Sequence, residues 1–166
     1  MRSAAVVLRP LAGLLLVAFA NGACSRPSHA GEALPSFRLG ALDGRQLGPL
    51  DFRGKVVLYD FWATWCGPYH VQAEVLHALC PAYAAKDVEF LAVSVGEPEE
   101  VVREFVRERP HPYPVLLDPA DELTARLGIQ ALPTLMVVDR RGKVAYFQPG
   151  VADADTLRKV FAAAGV

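Results

Sequence analysis

A chain of 166 residues, 52% of them apolar and with a net charge of −1, has the material for one globular domain with a continuous core and short extensions. That charge balance excludes recognition of nucleic acid through bulk positive charge. Three cysteines, Cys24, Cys66 and Cys80, are too few and too irregularly spaced for a disulfide framework or a four-ligand zinc site.

Residues 1–20 read as a signal peptide. They carry Arg2 and Arg9 and no acid, then an apolar run ending in Ala18-Phe19-Ala20, the small-x-small pattern of a cleavage site. The run, 11–20, falls well short of the roughly 20 residues that a membrane-crossing helix needs. Export to the periplasm or cell envelope is therefore expected. A second reading extends the leader to 23 and takes Gly22-Ala23-Cys24 as the end of a lipobox, which would place a lipid anchor on Cys24, although Asn21 stands where such boxes usually carry Leu. Residues 21–34 are small and polar and predict a flexible tether with a solvated His29. The folded domain is expected to occupy 35–166.

Within it, 37–39 and 45–47 flank Asp43-Gly44 and predict a small hairpin, and 51–55 makes a turn into a strand over 56–61, rich in β-branched and aromatic residues. The apolar run breaks at Trp65-Cys66-Gly67-Pro68 and restarts with helical spacing at Leu76, Leu79, Cys80 and Tyr83. Cys66 thus falls at a helix N-terminus, where unpaired N–H groups favour a thiolate, the nucleophilic form of cysteine. A second buried strand spans 88–95, closed by Gly96. Pro98, Glu99 and Glu100 then open a helix of about three turns. The prolines at 110, 112 and 114 force an extended loop before a strand at 115–117, and 118–127 predicts a short helix stopped by Gly128. A terminal hairpin, 134–138 with 143–147, precedes a last helix, 154–164, that Asp153 can cap. Strands separated by helices, with a closing hairpin and helix, give an α/β fold: a central mixed β-sheet covered on both faces.

Phe61-Trp62-Ala63-Thr64-Trp65-Cys66-Gly67-Pro68 resembles the active-site segment of the thioredoxin superfamily. Leu34-Pro35-Ser36-Phe37, Leu42-Asp43-Gly44 and Phe52-Arg53-Gly54-Lys55-Val56-Val57 are similar to the exported TlpA/ResA branch, which also inserts a helix and strand into the fold. The likeness spans about 35–164. It implies a thioredoxin fold in which Cys66 attacks disulfides, and Gly128-Ile129-Gln130-Ala131-Leu132-Pro133-Thr134 resembles the segment whose cis proline, here Pro133, faces that cysteine. Trp65, Gly67, Pro68, Tyr69 and Leu132 would then border a substrate groove, and Asp60 would match the buried acid that serves as proton acceptor.

The sequence departs from the family where C-x-x-C requires a second cysteine, for that position is Tyr69. Further along, Gln72 and Glu74 stand where the TlpA/ResA type often has Glu and Pro. Cys80 lies fourteen residues past Cys66 on one helix, about 20 Å away, whereas a disulfide needs Cα atoms within about 7 Å, so it reads as a buried core thiol. An unlipidated Cys24 could reach Cys66 through its tether, but nothing specifies the pairing. His70, one turn beyond Cys66, could polarise the thiol or join it as a soft copper-ligand pair. His77 and His111 show no ligand spacing, and no cofactor or metal is expected. A peroxidase would want Thr three residues before the cysteine, whereas Thr64 precedes it by two. These features predict a single-thiol oxidoreductase that forms mixed disulfides with exported proteins or small thiols. The alternatives are a redox-inactive binding module and a weak copper handler using Cys66 and His70.

Overall fold

The computed structural model describes residues 29–166. The leader, Cys24 and most of the expected tether lie outside the described residues. Seven strands and four α-helices follow in the order β1 (Leu39–Gly40), β2 (Gln46–Leu47), β3 (Val56–Trp62), α1 (Gly67–Tyr83), β4 (Val88–Val95), α2 (Glu99–Glu108), β5 (Val115–Asp118), α3 (Glu122–Arg126), β6 (Thr134–Val138), β7 (Val144–Pro149) and α4 (Ala154–Ala163). β1 and β2 form the small antiparallel hairpin, and the other five strands form one mixed sheet in the order β5-β4-β3-β6-β7.

β3 sits at the centre of that sheet because every one of its residues is buried. It runs parallel to β4 and antiparallel to β6. Strand side chains alternate between faces. Val56, Leu58 and Trp62 accordingly join the core under α1, α2 and α4, with Leu76, Val102, Leu157 and Phe161. Val57, Tyr59 and Phe61 join the opposite core, with Leu123 and Leu127 around α3 and Ala41 and Leu47 around the hairpin. Both faces are covered, as the apolar pattern predicts.

α1 buries Tyr69, Gln72, Leu76, Leu79 and Tyr83, an alternating three-four spacing that keeps one stripe on the sheet. The stripe expected from sequence begins two turns too late and includes Cys80, which is only half-buried beside it. Burial still pushes the Cys80 thiol upward from its ordinary pKa. The helix predicted over 118–127 is shorter, starting at Glu122. Asp118 ends β5 instead, and its buried carboxylate accepts hydrogen bonds from the Leu123 and Thr124 amides at 3.2 and 2.9 Å, satisfying the helix start from outside.

Residues 29–34, expected to be tether, are fastened to β7. Gly31 N donates to Val144 O, Val144 N to Glu32 O and Leu34 N to Gly142 O, all at 2.8–2.9 Å. His29 is not solvated: its ring packs 4.2 Å from that of Phe147. β7 is a sheet edge with spare backbone groups, and a short polar segment can pair with such an edge without any apolar signature.

Candidate active site around Cys66

β3 ends at Trp62, and a tight loop delivers Cys66 to the N-cap of α1, with Gly67 and Pro68 as its first two helical residues. Proline is tolerated there because its missing N–H would have no helical acceptor. Within the loop, Cys66 N donates to Ala63 O at 3.1 Å. A second fastening comes from the end of β4, where the nearly buried carboxylate of Glu97 accepts from Thr64 N at 2.7 Å and from Thr64 Oγ1 at 2.5 Å. Trp65 projects into solvent, 73% exposed, while Cys66 is buried. The loop thus presents a tryptophan and keeps the thiol buried.

The Leu132–Pro133 peptide bond is cis, as the resemblance implies. Thr134 pairs with Phe61 in the β3–β6 register, so Pro133 enters the sheet at the same end at which β3 delivers Cys66. Pro133 O accepts from Gly150 N at 2.7 Å, and Thr134 Oγ1 donates to Ala131 O at 2.6 Å. Between this loop, Trp65 and α3 lies a groove of 470 Å³, whose walls include Val95, Thr124, Ile129, Gln130 and Leu132.

Asp60 shares the α1 side of the sheet with Leu58 and Trp62 by strand alternation. It is wholly buried, and neither carboxylate oxygen has a hydrogen-bond partner among the described residues. Burial alone pushes its pKa up to about 8, so the carboxyl holds its proton at neutral pH.

Tyr69 is 1% exposed. Its ring stacks on Trp62 with centroids 4.5 Å apart, and its hydroxyl is hydrogen-bonded to His111 Nε2. His111 Nδ1 lies 3.0 Å from the Arg109 carbonyl, which can only accept. Nδ1 therefore carries the proton, and Nε2 accepts from Tyr69. Burial pushes the His111 pKa down to about 4, consistent with this neutral tautomer. The position of the absent second cysteine is thus filled by a core side chain that ties α1 to the strap following α2.

Gln72, buried three residues further on, binds both backbone groups of Ala152: its Oε1 accepts from Ala152 N at 2.7 Å and its Nε2 donates to Ala152 O at 3.4 Å. Since Gly150 in the same loop holds Pro133 O, Gln72 links α1 to the proline loop. His70 is exposed and stacks over Phe105 at 6.0 Å. No group of three or more His, Cys, Asp or Glu side chains is placed to hold a metal ion among the described residues.

The sequence points to Cys66, Asp60, Pro133, Trp65, Leu132, Gly67 and Pro68, which lie toward one end of the sheet; Tyr69, expected to border the substrate groove, is instead buried against Trp62 and does not line it. Glu97, Gln72 and His111 were not assigned roles there. Glu97 follows the strand that neighbours β3, which was a usable signal. Nothing local in Pro110-His111-Pro112 announces a partner forty-two residues away.

Residues 29–163 match the Redoxin family. Over 155 residues the sequence is 33% identical to the thiol-disulfide oxidoreductase ResA of Geobacillus thermodenitrificans (strain NG80-2), covering 93% of this chain and 89% of that one. The structure is similar to that of a Chlorobium tepidum protein provisionally named thiol:disulfide interchange protein DsbE, at 30% identity and a TM-score of 0.76 over 81% of this chain and 96% of that one. It is also similar to the thioredoxin domain of a thiol-disulfide oxidoreductase from Bacteroides vulgatus, at 25% identity and a TM-score of 0.71, covering 78% and 96% of the two chains.

Proposed function

The chain belongs to the Redoxin family, as a ResA-type member of the thioredoxin superfamily, and from that premise we propose that it is a thiol-disulfide oxidoreductase working through the single thiol of Cys66. The observation that carries this reading is the pairing of an N-cap cysteine with a buried tyrosine at the position of the resolving thiol. Cys80 cannot substitute, being fourteen residues along the same helix, about 20 Å distant. In the proposed reaction the Cys66 thiolate attacks a partner disulfide, joins one sulfur and expels the other as a thiolate. The resulting mixed disulfide persists until an external thiolate attacks it.

The Trp65–Leu132 groove and the cis-proline loop suit an extended polypeptide carrying that disulfide, which can pair with the exposed backbone as an added strand. Exported proteins and small thiols are the proposed partners. The leader pattern in 1–20 supports a location in the periplasm or cell envelope, with lipidation of Cys24 as its anchored form. Gels run without reductant should show adducts that vanish in Cys66→Ser, while insulin reduction stays near background. Insulin turnover at the level of a C-x-x-C enzyme with Cys24 and Cys80 both changed to Ser would refute the single-thiol reading. A Cys66 that neither traps partners nor alkylates faster than a free thiol would leave a redox-inactive binding module using the same groove.

A further inference from the structure

A cleft of 370 Å³ opens between α1 and the strap after α2, and two side chains of opposite charge, Glu74 and Arg109, line it. The other two arginines of this region, Arg103 and Arg107, are paired with Glu99 and Glu104. Glu74 and Arg109 make no salt bridge with one another or with any other described residue. The Arg109 guanidinium lies 5.0 Å above the Phe105 ring, and His70 stacks on that ring too. His70 is one helical turn from Cys66, at about 5–6 Å between Cβ atoms. Glu74 lies eight residues past Cys66, about 12 Å along the helix. The wall is braced by hydrogen bonds from the Tyr69 hydroxyl to His111 and from His111 to the Arg109 carbonyl. His77 Nε2, also in a cleft residue, is shielded from solvent and has no partner among the described residues.

We propose that this cleft seats the external thiol that releases the Cys66 mixed disulfide, a step that exists only under the single-thiol reading above. The thiol is of tripeptide size and ends in a free amino-acid group, whose ammonium meets Glu74 and whose carboxylate meets Arg109. Helical side chains tilt toward the N-terminus, which brings the Glu74 carboxylate nearer to Cys66 than its backbone position. The reach of about 10 Å of three extended residues therefore spans from the Cys66 sulfur to the two charges, whereas a single amino acid is too short. In the step, the incoming thiolate attacks the Cys66 sulfur of the mixed disulfide. A bond forms between the two sulfurs, the bond to the partner breaks, and the partner leaves as a thiolate that takes a proton from water. A second molecule of the small thiol then frees Cys66 and departs as its symmetrical disulfide, so two thiols are oxidised for one partner disulfide reduced. Tyr69 has two consequences here: it removes the internal resolver and it builds the wall of the external resolver's seat.

The test has two arms. In the first, release of a preformed Cys66 mixed disulfide is timed with glutathione, free cysteine and 2-mercaptoethanol, each rate corrected for thiol pKa. Glutathione should run about tenfold above the line set by the other two, and Glu74→Gln or Arg109→Gln should return it to that line. In the second, S-methylglutathione, which cannot exchange, is titrated onto Cys66→Ser while the His70 and His77 ring resonances are followed. Saturable shifts that disappear in Arg109→Gln support the seat, whatever becomes of the exchange chemistry. Glutathione on the common line, rates indifferent to both substitutions, or a titration without saturable shifts would overturn the assignment. Failure of every thiol to release Cys66 alongside a positive titration would instead count against the single-thiol reading.

Discussion

Asp60 and Tyr69 are two buried polar residues with opposite degrees of satisfaction. Asp60 is buried with no hydrogen-bond partner among the described residues, and burial lets the folded protein keep its proton up to about pH 8, whereas the unfolded chain releases it near 3.8. The unfolded state then binds fewer protons across that interval, and the contribution of Asp60 to stability falls as pH rises from about 4 to 8. Asp60→Asn should flatten this slope and stabilise the protein by about 2–4 kcal/mol at pH 8, as denaturant midpoints would report. An unchanged slope would mean that the carboxyl is not buried as described. Tyr69 is satisfied through His111 and packed on Trp62. Tyr69→Cys should therefore cost about 3–4 kcal/mol of stability while enabling intramolecular release of the mixed disulfide. A variant that folds and still needs external thiol would show that more than the resolver has been lost. Cys66 and the cis Pro133 were legible through the family resemblance, which short local segments carry. Tyr69 was visible as a substitution, but its partners were not, since His111 comes from another element.

At the scale of elements, the site is the meeting of α1 with three loops, each fastened by one buried or half-buried polar group. Glu97 holds the loop before Cys66, Gln72 holds the loop that binds Pro133, and His111 holds the strap after α2. The unfolded chain takes up a proton on His111 near pH 6.5, whereas the folded site excludes it until about 4. Protonation of His111 across that interval favours unfolding and opposes the Asp60 trend, and the stability that neutral His111 contributes above 6.5 is lost as pH falls toward 4. In thermal melts between pH 7 and 4, His111→Phe should shift the pH slope toward stabilisation by acid relative to wild type; an identical slope would place the titrating group elsewhere. Element types were readable from periodicity throughout the domain. Boundaries failed where a side chain from outside the helix decides them, as Asp118 does for α3 and as buried Tyr69 and Gln72 do for the start of the α1 stripe.

For the whole molecule, the five-stranded sheet puts the end of β3, the loop after β4 and the start of β6 side by side, which is why residues from 60 to 134 share one site. The layered α/β arrangement followed from alternating apolar strands and helices. The docking of 29–34 on β7 did not, because backbone pairing at a sheet edge leaves no side-chain pattern. Nothing in this arrangement brings a second described thiol to Cys66, and under the proposed single-thiol reaction the cycle is completed by a thiol from outside. The most direct test is the release rate of a preformed Cys66 mixed disulfide in the full chain, measured against external thiol concentration. With 2-mercaptoethanol a straight line through the origin is predicted, and with glutathione a curve through the origin that levels off as its seat fills, since release has no internal component in either case. A finite rate at zero external thiol would reveal a resolving group within the chain and contradict the account.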